Sequence, residues 1–139
     1  MQVTTIPFVT HLGIQQEQNS LTLEPSQNLE NHLGTIHASA QFTLAETQSG
    51  LFLQTEFSDI QGEVIPLLRG STVKYKSPAN SKLIAHASMN QEAKNKFIEQ
   101  FSKKGRATIT VMVEVKDENA TVTMTGEFHW FIQQLNVSL

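Results

Sequence analysis

The chain contains no cysteine. That excludes disulfides, thiol nucleophiles and zinc sites built on cysteine. It also suits a reducing compartment, so a cytoplasmic protein is expected. Positive charge is scarce. Ten Lys and Arg against thirteen Asp and Glu leave a net charge of −3, and the basic residues form no long tract. Nucleic acid is therefore not the expected partner. No apolar run approaches the roughly 20 residues needed to cross a bilayer. The opening MQVTTIPFVTHLG lacks a basic segment followed by an apolar run, so no signal peptide is expected. Internal repeats and low-complexity linkers are absent as well.

What is present is an ordinary globular balance. Hydrophobic residues make up 39% and charged residues 17% of 139 residues, enough for one domain over 1–139 with its own core. Ile6, Val9 and Leu12 fall at helical spacing behind Pro7, predicting a short helix that Gly13 ends. Leu21 and Leu23 alternate with polar neighbours and stop at Pro25, predicting a strand. A polar loop follows through Glu30.

The organising segment runs from Ile36 to Glu56. It has no proline, and Thr35 is placed to cap its start. Apolar residues fall around most of its circumference, from Ile36 and Ala38 through Leu44 and Ala45 to Leu51 and Leu53. A helix of this kind needs cover on several sides, and its length of about 30 Å crosses a small domain. The period then changes to two. Val73, Tyr75 and Ser77 alternate with lysines up to Pro78, and Leu83, Ala85, Ala87 and Met89 line one face of another strand. Asn90 is placed to cap a helix carrying Ala93, Phe97 and Phe101, and Gly105 to stop it. Ile109, Val111, Val113 and Val115 form one arm of a hairpin. Its turn lies around Glu118 and Asn119, and Val122, Met124, Phe128, Trp130 and Ile132 form the other arm.

The predicted class is therefore α+β: a curved antiparallel sheet wrapped around one long central helix. A cone-like fold with several helices ahead of the sheet ranks second, because one long helix precedes the strands. A single such sheet leaves open edges, and pairing with a second copy is the usual remedy.

The stretch Asn31-His32-Leu33-Gly34-Thr35-Ile36-His37-Ala38-Ser39-Ala40-Gln41-Phe42-Thr43-Leu44-Ala45-Glu46 resembles the active-site segment of hotdog-fold acyl-CoA thioesterases of the phenylacetate-pathway type. In that family an asparagine lies six positions before a histidine, two small residues follow the histidine, and an acid lies nine positions after it. Asn31, His37 and Glu46 keep these spacings. Tyr75-Lys76-Ser77-Pro78-Ala79 with Leu83-Ile84-Ala85-His86-Ala87, and Gly105-Arg106-Ala107 with the valine strand, resemble the strands that follow in the family. The resemblance covers Asn31 to Trp130. This chain departs from the family in carrying Ala38-Ser39 where two glycines are usual and Glu46 where aspartate is common, and it is similar to a subgroup known only by its thioesterase likeness.

The resemblance implies a hotdog fold and hydrolysis of acyl-CoA-type thioesters, with coenzyme A as part of the substrate and no separate cofactor. Glu46 is then the general base or, as a weaker alternative, the nucleophile. The backbone N–H of Ala38, at the positive end of the helix, is the oxyanion donor. His37 is expected to orient the helix start and Asn31 to hold the loop or a water. Nine residues of helix put His37 and Glu46 on opposite sides. Two antiparallel helices across a dimer would bring them to one substrate, and the family shares its sites between subunits in this way. A homodimer, or a tetramer, is the expected assembly.

Thr47 and Gln48 are candidates to line the site, with plain helix surface as the alternative. Lys103, Lys104 and Arg106 are candidates for the CoA phosphates, although lysines also suit the last turn of a helix. Phe97, Phe101 and Trp130 are assigned to the core. His11, His32, His86 and His129 show no ligand spacing with an acid, so no metal is assigned. Two other functions remain open. Ala38-Ser39 would crowd a carbonyl site in a non-catalytic acyl-CoA-binding module. A hotdog dehydratase would pair histidine and acid in another pattern.

Overall fold

The computed structural model describes residues 1–60 and 63–135. A 3-10 turn over Val3–Thr5 leads into helix α1, Pro7–Leu12. Pro7 sits in the first turn, where its missing N–H costs nothing. Gly13 closes the helix with φ of 79°, the left-handed conformation that a side chain would strain.

Strands β1 (Gln15–Glu17) and β2 (Ser20–Leu23) form a hairpin. The lone strand expected at Leu21 and Leu23 therefore has a partner. All three β1 side chains are exposed, so no apolar alternation announces them.

Helix α2, Ala38–Glu56, spans 19 residues. It starts two residues later than Ile36, and its cap is His37, not Thr35. Tertiary pairing is the reason. The Ile36 N–H donates to Ala79 O at 2.9 Å, and Ile36 bridges to Glu30, which holds this backbone extended. The apolar residues of α2 are spread around it, as its surroundings require. One side packs on β2 and on the strands β4 (Leu83–Ser88), β5 (Arg106–Lys116) and β6 (Val122–Gln134), where Leu44 and Ala45 are fully buried.

Strand β3 covers Val64–Tyr75, so it begins nine residues before the alternation at Val73 and ends before Ser77. Its first half, VIPLLRG, does not alternate. Pro66 is tolerated because β3 lies at the sheet edge. The six strands run in the order β1-β2-β4-β5-β6-β3, every pair antiparallel. The expected β5–β6 hairpin is there. Asp117 Oδ1 accepts the N–H groups of Asn119 and Thr121 in its turn, at 2.9 and 3.0 Å. Ala107, Ile109, Val111, Val113 and Val115 of β5 all point into the core, opposite Met124, Phe128 and Ile132 of β6.

Helix α3, Gln91–Lys104, starts as expected at Asn90, whose Oδ1 accepts from the N–H groups of Glu92 and Ala93. It closes at Gly105, with φ of 69°. Phe97 buries its ring against Phe57 at the end of α2, 4.6 Å between centroids. One long helix in the hollow of a curved antiparallel sheet is the architecture expected from the sequence.

Candidate active site

Two separate cavities flank α2. The larger, about 680 Å³, lies between the outward side of α2, the first nine residues and the start of β3. Glu46 is in its wall, with Phe42, Thr43, Thr47, Gly50 and Trp130. The smaller, about 330 Å³, lies at the N-terminal end of α2 and holds Asn31, Ala38, Gln41 and Tyr75. No residue is common to both. The eight-residue step from Ala38 to Glu46, about 12 Å along the helix, thus leads from one cavity to the other within a single chain.

Glu46 is half-buried among apolar neighbours, and burial pushes its carboxyl above the ordinary carboxylate value. No ion pair among the described residues includes it. The hydroxyls beside it are committed to the helix backbone. Thr47 Oγ1 donates to Thr43 O at 2.6 Å, and Thr43 Oγ1 donates to Ser39 O at 3.0 Å. Ser49 Oγ donates to the Glu46 carbonyl at 2.6 Å and accepts the indole N–H of Trp130 at 2.9 Å.

At the other end, His37 Nδ1 accepts the Ser39 N–H at 2.9 Å. In that state its ring proton sits on Nε2. The N–H groups of Ala40 and Gln41 both reach His37 O, at 3.0 and 3.2 Å. Of the first-turn donors this leaves Ala38, whose N–H has no partner among the described residues and which lines the smaller cavity. Such a group, at the positive end of a helix, is suited to receive a negatively charged oxygen. Asn31 builds the loop ahead of it. Its Oδ1 accepts from the N–H groups of Leu33 and Thr35, and its Nδ2 donates to Thr35 Oγ1 at 2.8 Å.

Gln48 does not line the site. It is buried on the sheet side, accepting the Leu21 N–H at 2.7 Å and donating to Asn19 O at 3.0 Å, so it pins the β1–β2 hairpin to α2. Lys104 and Arg106 are exposed and belong to neither cavity. Lys103 pairs with Glu99 at 3.1 Å along α3. Trp130, assigned to the core from sequence, is both core and cavity wall. The cavity-lining Phe42, Thr43, Gly50 and Phe57 were not assigned to the site from the sequence. Their signal is a spacing of three and four along α2, which an all-round apolar helix masks.

The histidines stay apart. His129 Nδ1 meets Thr110 Oγ1 at 2.8 Å, and His86 lies 3.5 Å from Ser20 Oγ. Among the described residues no three His, Asp or Glu gather as metal ligands. No described helix is long and apolar enough to cross a membrane. A trough of about 660 Å³ on the outer sheet face carries Lys74, Lys76, His86, Glu114 and Glu127 but none of the site residues above.

The two cavities meet opposite ends of the edge strand. Val64 and Pro66, at the start of β3, line the Glu46 cavity, and Tyr75, its last residue, lines the Ala38 cavity. Partial burial pushes the Tyr75 phenol above its ordinary value, so it is neutral at physiological pH.

Among solved structures, the chain is similar to a Pseudomonas aeruginosa protein of unknown function described as a probable thioesterase. Identity is 21%, with 96% of this chain and 91% of that one covered and a TM-score of 0.80. It is similar to a thioesterase from Haemophilus influenzae at 16% identity, with 99% and 91% covered and a TM-score of 0.74. It is also similar to a Bacillus halodurans protein crystallised with CoA, at 18% identity, with 90% and 74% covered and a TM-score of 0.69. At these identities the likeness concerns the fold, and that fold is the hotdog. No curated protein matches the chain. Residues 3–132 match the family described as Domain of unknown function (DUF4442), and the chain belongs to that family.

Proposed function

We propose that this protein hydrolyses acyl-CoA-type thioesters as a homodimer, with each site shared between two chains. The observation that carries the reading is Glu46: a half-buried carboxylate with no ion-pair partner among the described residues, set in a largely apolar cavity. Burial of this kind costs stability and is found where a group has chemistry to do.

The assembly follows from the sheet edge. β3 pairs with β6 on one side, and its other edge ends the sheet. Antiparallel pairing of β3 with its copy about a two-fold axis sets the start of one strand beside the end of the other. The Glu46 cavity of one chain then adjoins the Ala38 cavity of the second. Exposed Ile65 and Leu67 on this strand support such a contact.

Glu46 takes a proton from water as the water oxygen attacks the thioester carbonyl carbon. The C=O electron pair moves onto oxygen, and the Ala38 N–H of the second chain stabilises that charge. The intermediate collapses, the C–S bond breaks with its electron pair on sulfur, and the proton held by Glu46 passes to the thiolate. The products are a carboxylic acid and free CoA thiol. His37 fixes the helix start that aims the Ala38 N–H, Asn31 shapes the loop before it, and Thr47 forms cavity wall. Lys104 and Arg106 would meet CoA phosphates from outside the two cavities. The CoA held by the Bacillus halodurans protein supports this choice of thiol. The absence of cysteine supports a cytoplasmic setting.

The test is release of free thiol from a panel of acyl-CoAs by wild type and Glu46→Gln. A loss of about 10²- to 10⁴-fold in kcat/KM is expected for a missing general base. Equal rates would remove Glu46 from the chemistry. Tight acyl-CoA binding by wild type without turnover would select the non-catalytic binding module that Ala38-Ser39 suggested.

A further inference from the structure

We propose that the Glu46 cavity selects straight-chain acyl groups of roughly ten to fourteen carbons, and that Gly50 is the residue that admits them past the middle of the cavity. The inference rests on the hydrolase reading for one point only, namely that the carbonyl lies at the Glu46 end.

Glu46, Gly50, Leu53 and Phe57 follow one another along α2 at intervals of four, three and four, so they form one stripe facing the cavity. The polar groups of this stripe are at its beginning. Thr43 and Thr47 flank Glu46, with their hydroxyls spent on the backbone. Beyond Gly50 the wall is Leu53, Phe57, Ile60 and Ile132, with Gln54 exposed at the rim. An amide-bearing pantetheine arm would leave its N–H and C=O groups unpaired here, whereas a hydrocarbon loses nothing. The apolar limb therefore takes the acyl chain and not the CoA arm.

Length separates a chain from a ring. Eleven residues from Glu46 to Phe57 span about 16 Å of helix. A staggered carbon chain advances about 1.25 Å per bond, so the limb holds about thirteen carbons. An aromatic acyl group would fill less than half of it.

Gly50 sets the width. A Cβ built there would lie 3.7 and 3.8 Å from two ring carbons of Trp130, ordinary contact distance. Trp130 is itself held by Ser49. The indole thus stands one bonded methyl from contact with the helix, too close for an acyl chain to pass between them, and any side chain longer than a methyl would have to turn into the cavity and obstruct the chain beside it.

Non-hydrolysable S-alkyl-CoA thioethers, from two to eighteen carbons, together with benzyl-CoA, should be titrated calorimetrically into the full chain. Affinity is expected to rise roughly fourfold per methylene and to level off near twelve to fourteen carbons. Gly50→Leu, four residues from Glu46, should move the plateau to about five carbons, and Leu53→Trp, seven residues away, to about eight. If Gly50→Leu does not fold, Leu53→Trp carries the same test. A plateau at one length in wild type and every folded variant overturns the proposal, as does tighter binding of benzyl-CoA than of dodecyl-CoA. If the thioethers behave as expected but no acyl-CoA is hydrolysed, the chain-length inference stands and the hydrolase reading falls. Turnover confined to short or aromatic acyl-CoAs does the reverse.

Discussion

The indole N–H of Trp130 donates to the Ser49 hydroxyl at 2.9 Å, tying β6 to α2 inside the core. The bond ties the cavity's sheet-side wall to the helix that carries Glu46, because the same hydroxyl donates to the Glu46 carbonyl at 2.6 Å. Ser49 has no exposed surface and Trp130 is buried as well, so neither partner has water to fall back on.

Ser49→Ala should therefore cost about 1–3 kcal/mol, the penalty for a buried donor left without an acceptor. Denaturant unfolding gives the value. Trp130 is the only tryptophan, so its emission reports the wall directly and should shift in the variant. An unchanged midpoint and spectrum would mean that the bond is dispensable.

Ala38→Pro removes one N–H and little else. Residue 38 is the first residue of α2, a position where proline is favoured. His37 before it is already extended, with φ of −61° and ψ of 142°, as a residue preceding proline must be. Stability should stay within about 1 kcal/mol of wild type, while kcat falls about 10²- to 10³-fold for loss of an oxyanion donor and KM moves little. Retained kcat in a folded variant would reassign the oxyanion site.

Glu46→Gln should raise the melting temperature near pH 7. The folded-state carboxyl titrates above its ordinary value of 4.5 because burial disfavours its charge. Above the folded pKa the charged, desolvated group weakens the fold. Below 4.5 it is neutral in both folded and unfolded chains and contributes no difference. The gain in the variant should thus shrink as pH is lowered through the raised pKa and vanish below 4.5. The acid limb of wild-type kcat/KM should likewise lie above pH 4.5. Thermal melts from pH 4 to 8 check the first claim, and rate profiles check the second.

Leu67→Asp should dissociate the dimer. Leu67 is 49% exposed on the edge strand, near Ile65 at 40%, and an acid there would place a charge in the strand–strand seam. Light scattering should report a monomer, and hydrolysis should fall with it, as it should on dilution of wild type. An active monomer would refute the shared site.

The candidates Asn31, His37 and Glu46 were picked out because their spacing resembles a thioesterase segment, not from any periodicity of the chain. His37, expected within the helix, is the extended cap ahead of it. The environments of the candidates were not legible. Thr47 and Gln48 are adjacent in sequence, yet one lines the cavity and the other pins a hairpin. Neighbours on a helix point about 100° apart, and on a helix apolar all round no pattern says which direction is sheet and which is void. Trp130 is core, as read from the sequence, but its part in the cavity wall was not legible: an inward residue of β6 meets core or cavity depending on whether α2 presents Leu44 or Gly50 beside it.

The sequence by itself determined the elements with strong periodicity. These are α2 with its apolar circumference, α3 between Asn90 and Gly105, and the β5–β6 hairpin. Local backbone preference and burial agree there, so each is encoded within its own segment. Tertiary structure alone decided where α2 begins, because Ile36 gives its N–H to Ala79 and cannot join the helix. It also decided that polar β1 is a strand, and that Val64 and Tyr75 stand at the two cavities from opposite ends of one edge. Those outcomes depend on hydrogen bonds and voids between segments far apart in the chain, which no local pattern records.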